Sequence, residues 1–402
     1  MRQTVDTSAE NRRILAFAPR LVRGARLVGL AALGFSVLLA LWLRDGWATF
    51  FQAYLVNFCY FLSLGLGALF FVILQHLTRA GWSVVVRRLA EGLAGTLPVL
   101  ALLAVLVLVG MGELYPWATG HAPADDHLLL GKQAYLNPFF FAVRMVLYFA
   151  VWAGLSQYFL RTSVRQDETG DPRLTLHMQW ASAPAMLLFA VTVTFASFDL
   201  LMSLEPHWYS TIFGVYFFAG GVLGFLALLV VVVWGLQRSG RITASVTPEH
   251  YHDLGKLLLG FTVFWAYIAF SQYMLIWYAN IPEETTWYLV RQEGIWLWVS
   301  VGLLAGHFLL PFLLLLSRYP KRRQGLLVLI AGWLLLMHWV DLFWLTMPGR
   351  RSGSWPLHVL DVTCFVASGA LWVSAAAHRL RRVSLVPQRD PRLLESLTFE
   401  NV

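Results

Sequence analysis

Residues 210–236 read STIFGVYFFAGGVLGFLALLVVVVWGL, 27 positions without one Asp, Glu, Lys or Arg. At 1.5 Å per residue, such a run forms a helix about 40 Å long, enough to cross the roughly 30 Å hydrocarbon core of a bilayer. Nine more apolar runs lie at about 27–43, 51–76, 93–111, 138–160, 180–202, 255–278, 294–317, 325–346 and 359–378. The whole chain is 58% hydrophobic and only 13% charged, whereas soluble domains carry about 25% charge. These features predict an all-α integral membrane protein with about ten transmembrane helices.

Charge orients it. An even number of spans puts both termini on one side, and 24 of the 30 Lys and Arg residues fall in segments on that side. The opposite side has five, Arg44, Lys132, Arg291, Arg350 and Arg351, and Arg144 falls within a span. Cytoplasmic loops retain positive charge, so both termini are expected in the cytoplasm. The net charge of +8 therefore reads as membrane topology rather than nucleic-acid binding. Residues 1–26 are polar and Arg-rich without a secretory signal pattern.

Cys59 and Cys364 each stand alone in an apolar run, and no CxxC or CxxCH occurs. The chain by itself is thus not expected to ligate an iron–sulfur cluster or c-type haem. No phosphate loop, dinucleotide fingerprint or zinc spacing occurs either. The outer loops 112–137, with Tyr115, Trp117, Asp125 and Asp126, and 279–293, with Glu283, Glu284, Trp287 and Glu293, are acidic and aromatic. They read either as an interfacial aromatic belt or as a docking surface for an extrinsic partner.

A short signature recurs. Asp199-Leu200 is followed by Pro206 on the fifth run, and Asp341-Leu342 by Pro348 on the ninth, both at outer ends. A four-helix unit is therefore expected twice in parallel orientation. This divides the chain into residues 1–50 (N-terminal segment and helix 1), 51–209 (first bundle), 210–348 (second bundle) and 349–402 (helix 10 and a cytoplasmic tail).

Ionisable groups at membrane depth are functional candidates, the alternative being paired groups that hold helices together. Asp199 and Arg144 read as a structural ion pair or an outer proton exit. Asp341 has no evident basic partner, and His338 lies three residues before it on the same helix face. With His307, Tyr267, Ser271 and Gln272 at similar depths, and His250, His252, Asp253 and Lys256 at the inner end, these residues form either a hydrogen-bonded file toward Asp341 or a set of interhelical contacts. His307 and His338, at one depth on neighbouring helices, also read as a pair of axial haem ligands, although a second centre is lacking. His76 is expected at the inner interface, and Gly220, Gly221 and Gly224 at close helix packing.

The run from Ser197 through Asp199 and Pro206 to Tyr216 resembles the F subunit of bacterial alternative complex III, a quinol:electron-acceptor oxidoreductase. Ile276 to Thr285, His338-Trp339-Val340-Asp341-Leu342 and His76 to Arg88 are similar to it as well, and the likeness covers about residues 50–350. It implies two four-helix bundles related to the polysulfide-reductase membrane subunit. It also implies a homologous membrane partner, an iron–sulfur subunit and haem c proteins on the outer side. On this resemblance the chain is expected to be a membrane subunit of a quinol-oxidising respiratory complex in the bacterial cytoplasmic membrane. It would support assembly and proton translocation through Asp199, Asp341 and His338 and bind no redox cofactor itself, with the enzyme activity belonging to the complex. The other readings are a quinol-binding catalytic subunit, with a quinone as ligand, and an independent secondary transporter.

Overall fold

The computed structural model describes residues 13–14, 17–119, 126–350 and 357–401; Arg2, Arg12, Asp125 and Arg351 lie outside them. Ten of its helices have the length and composition to span a membrane: α1 (Ala18–Trp42), α2 (Gly46–Leu77), α3 (Val84–Val109), α4 (Pro138–Thr169), α5 (Arg173–Leu204), α6 (Phe213–Arg238), α7 (Pro248–Ala279), α8 (Gly294–Leu316), α9 (Gln324–Thr346) and α10 (Val359–Leu380). The protein is therefore an all-α multi-pass membrane protein. Large apolar side chains such as Leu102, Leu187 and Leu329 point outward from mid-helix, the inverse of a soluble surface and the arrangement lipid requires.

Most helices outrun the apolar stretches, because their caps lie in polar sequence beyond the bilayer edge. Asn137 caps α4 by accepting from the Phe140 N–H at 2.8 Å, just before Pro138. Thr247 and His250 form a reciprocal capping box at the start of α7. Proline shapes two spans. α3 breaks into Val84–Ala94 and Leu97–Val109, where Pro98 has no N–H to donate and its ring crowds the Ala94 carbonyl. α8 widens into a π-helical turn at Leu304–Leu309, because Pro311 imposes the same conflict on the His307 carbonyl. Gly46 is obligatory at the α1–α2 turn, since a Cβ there would lie 2.2 Å from the Ala40 oxygen.

α2 is the central element, apolar all round and buried along nearly its whole length. It packs on α3, α4 and α5 on one side and on α6 on the other. α6 in turn packs on α7 and α9, and α8 bridges α7 and α9. α1 and α10 pair with each other, and α10 lies against α2 and α3.

At the face carrying both termini, here termed inner, charge is buried rather than solvated. Arg87 and Arg88 share Glu91, with contacts of 3.3 and 2.9 Å. Arg88 also pairs with Asp167 of α4 at 2.7 Å, and Arg87 with Asp390 of the C-terminal tail at 2.5 Å. The tail returns beneath the helices: Ser396 Oγ donates to the Trp82 carbonyl and accepts from the Val85 N–H, and Lys256 Nζ donates to Asn401 Oδ1. His76, expected at the interface, is instead buried, its ring stacked 5.4 Å from that of Phe159.

Breaking one member of a buried charge network strands its partners at a cost of about 3–5 kcal/mol. Glu91→Ala should therefore lower the thermal unfolding midpoint in detergent clearly, whereas Glu283→Ala at the exposed outer surface should leave it unchanged. Equal midpoints for both variants would show that the network is not a determinant of stability.

Candidate functional site

The two Asp-Leu motifs place buried carboxylates near the outer ends of α5 and α9, but in different surroundings. Asp199 is gripped at both oxygens by Arg144, whose Nε donates to Oδ2 and Nη2 to Oδ1, each at 2.8 Å. Tyr148 Oη donates to Oδ2 at 2.7 Å, and Arg144 Nη1 donates to the Tyr135 carbonyl at 2.8 Å. The guanidinium also lies over the Tyr135 ring at 3.8 Å. This is the bidentate geometry in which a guanidinium best satisfies a carboxylate, and the structural ion pair is the reading it matches.

Asp341 forms no ion pair among the described residues. Tyr216 of α6 donates to Oδ1 at 2.6 Å, and Trp265 Nε1 of α7 donates to Oδ2 at 3.2 Å. One turn inward, His338 Nε2 lies 2.8 Å from Ser63 Oγ of α2. The Ser63 proton goes to the Tyr60 carbonyl at 2.7 Å, so the imidazole must be the donor to Ser63. Neutral His338 then carries its proton on Nε2, and its bare Nδ1 has no hydrogen-bond partner among the described residues. Gly220 explains how these groups come together. A methyl there would sit 3.3 Å from His338 Nδ1 and 3.5 Å from Asp341 Oδ2, and one at Gly224 would lie 2.7 Å from the His338 ring. The glycines of α6 thus make the close approach expected of them.

His307 completes the cluster from the π turn of α8. Its ring lies 4.1 Å from that of Trp265, and neither of its nitrogens has a hydrogen-bond partner among the described residues. Among the described residues three buried imidazole nitrogens are therefore open, one on His338 a turn from Asp341 and two on His307 against Trp265, each costly to leave bare in a dry interior. Ordered water is the chemistry that satisfies such groups. Haem fits poorly, because Ser63 occupies His338 Nε2 and Trp265 lies against His307. Among the described residues no three metal-ligating side chains come together.

The remaining expected members of the file divide. Tyr267 faces outward and is 64% exposed; two residues past Trp265, it points to the opposite side of α7 and takes no part. Gln272 belongs to the outer end, where it accepts from Ser210 Oγ at 2.8 Å and donates to Tyr288 Oη at 2.9 Å. Asp253 and Lys256 pair with each other at the inner end, and Lys256 also holds the C-terminal tail. His250 Nδ1 serves the α7 cap. From Lys256 to Trp265 is about 13 Å of helix, in which the buried hydroxyl of Thr262 donates to its own helix at Leu258. The inner cluster and the Asp341 cluster are thus separate.

The outer-loop aromatics turn inward rather than forming a belt. Tyr115 donates to the Leu200 carbonyl, Trp117 to the Ser203 carbonyl, and Trp287 stacks on Trp208 at 4.4 Å. Glu283 and Glu293 remain exposed. Sequence reasoning missed the partners Tyr216, Trp265, Tyr148 and Ser63, because each lies on a different helix and no spacing connects it to its acid or imidazole.

A scan of protein-family models finds no match to this chain, and a search of curated proteins finds no similar sequence.

Arg144→Leu should destabilise the protein by about 3–5 kcal/mol, since it strands Asp199 in a buried site, whereas Arg144→Leu/Asp199→Leu should recover most of that loss. Chemical or thermal unfolding of the two variants in detergent checks this. Additive losses would mean that the pair is not coupled.

Proposed function

We propose that this chain is a membrane subunit of a quinol-oxidising respiratory complex of the alternative complex III type, in which it supports assembly and conducts protons through the Asp341 cluster. The observation that carries the proposal is a buried carboxylate whose donors among the described residues are neutral, with His338 one turn away and His307 behind its donor Trp265, both with open ring nitrogens. Such a group can gain and lose a proton without breaking an ion pair, which Asp199 cannot do. Intramembrane carboxylates and histidines in this setting recur in proton relays. The resemblance of the Asp199 and Asp341 motifs to that family supports the same reading.

In this account Asp341 is the exchanging site, with Tyr216 as its outer hydrogen-bond partner and His338 Nδ1 as the acceptor facing the same space. Protons from the inner face would cross the apolar stretch past Thr262 on ordered water, because no side chain of the inner cluster reaches Trp265. Asp199 and Arg144 would serve assembly. The charge asymmetry supports placement in the bacterial cytoplasmic membrane with both termini inside. The exposed Glu283 and Glu293 suit docking of haem c and iron–sulfur partners at the outer face. Oxidation of quinol would belong to the complex, beside the homologous membrane subunit, and this chain would contribute no redox cofactor.

Asp341→Asn keeps the shape and the capacity to accept from Tyr216 but removes the titrating proton. In the complex reconstituted into vesicles, it should lower the protons moved per electron while leaving quinol oxidation largely intact. Unchanged stoichiometry would remove Asp341 from the pathway.

A further inference from the structure

A cavity of about 730 Å3 lies between α7 and α8, within the size range of small-molecule sites. These helices pack closely along residues 304–316 and part toward their outer ends. The mouth is bordered by Phe270 and Leu304, both exposed to the surface that faces lipid. Ala266 and Ala269 leave space along one wall, and Phe308 lies at the deep end. Gly294 to Phe308 is about 20 Å of helix, the depth of roughly one leaflet.

The polar groups gather at the shallow end, and they are donors. Arg291 is 3% exposed and gives one N–H each to the carbonyls of Trp344, Trp287 and Leu345. A guanidinium has five such protons, so two remain. Tyr288 Oη accepts from Gln272, and Tyr273 Oη accepts from Gln292 at 3.2 Å. Neither phenol gives its own proton to an acceptor among the described residues. Arg291 forms no ion pair there. Burial pushes its pKa down to about 9, with the charge of Glu205 opposing the shift, and it stays cationic at neutral pH. Among the described residues no carboxylate lines the cavity.

A buried cation beside two free hydroxyl donors, above an apolar slot one leaflet deep, calls for an anionic head rich in acceptor oxygens with a long hydrocarbon tail. We propose that this cleft holds one phospholipid of the outer leaflet, with its phosphodiester at Arg291, Tyr273 and Tyr288 and one acyl chain lying between α7 and α8 as far as Phe308. A phosphate matches the forked guanidinium in charge and geometry. The chain would cover the faces of Tyr216 and Trp265 that line the slot and keep water away from Asp341 on the lipid side. This inference rests on the cavity alone and stands whether or not the chain serves a respiratory complex.

The test uses the full-length protein in mild detergent, with native mass spectrometry and a phosphorus assay after extended washing. About one phospholipid should remain per chain. Retention should fall at least about five-fold in Ala266→Trp, which fills the slot, and in Tyr273→Phe/Tyr288→Phe, which removes the two hydroxyls and little packing volume. Delipidated protein should take up phosphatidylglycerol in preference to phosphatidylcholine. Equal retention in wild type and in the doubly substituted variant, provided its unfolding midpoint is unchanged, would overturn the proposal. So would recovery of a quinone in place of phospholipid, which would assign the slot to quinol binding instead.

Discussion

The contact on which the rest of the molecule depends is the seam between α2 and α6. A Cβ at Gly67 would lie 2.6 Å from the Gly221 oxygen and from the Phe225 Cβ, and one at Gly221 would lie 3.2 Å from Ser63. In lipid the apolar phase on both sides is equivalent, so helices associate through tight packing and interhelical hydrogen bonds rather than hydrophobic exclusion. Glycine at these positions lets two backbones approach, and the approach has a chemical consequence. Beside Gly221, Gly220 and Gly224 leave room for His338 and Asp341, and Ser63 of α2 meets the imidazole along the same seam. The polar cluster is therefore a product of the same packing that joins α2 to α6.

A second constraint explains the basic residues on the outer side. α5 and α9 end there, and the last carbonyls of each helix lack intrahelical donors. Arg350 donates to the Leu204 carbonyl at 2.6 Å and to Leu114 at 2.9 Å, while Arg291 covers the Trp344 and Leu345 carbonyls at the end of α9. Lys132 Nζ donates to the Pro206 carbonyl at 2.6 Å. Cations at helix C-termini also suit the helix dipole. Burial lowers the pKa of Arg350 and Lys132 as it does that of Arg291. Lys132, Arg291 and Arg350 thus serve as caps, which is why they coexist with a strong inner excess of charge.

The spans were legible because charge-free runs of this length have few alternatives, and α6 alone nearly settles the class. The depth of Asp341, His338 and His307 followed from their positions along those runs, and the i, i+3 spacing of His338 and Asp341 from helical periodicity. Lateral relations were not legible. Tyr267 and Trp265 stand two residues apart on α7, yet one meets lipid and the other meets Asp341, because a two-residue step turns a helix by more than half a circle. The acidic tail residues Asp390 and Glu395 carry no periodic signal. Their role depends on Arg87 and on Gly81, where a Cβ would strike the Glu395 carboxylate at 2.1 Å. The π turn of α8 was not read from the sequence, although its cause, Pro311, stands four residues past His307.

The central claim is that this chain works inside a respiratory complex, with its proton-active cluster coupled to redox chemistry located in its partners. Gentle detergent purification of the native protein, followed by identification of co-eluting chains and a visible spectrum, tests that claim most directly. Stoichiometric iron–sulfur and haem c subunits should co-elute, with the c-type absorbance travelling with the partners. A colourless chain that purifies alone and remains functional would contradict it and favour a transporter. A b-type spectrum from the isolated chain would contradict the absence of a resident cofactor.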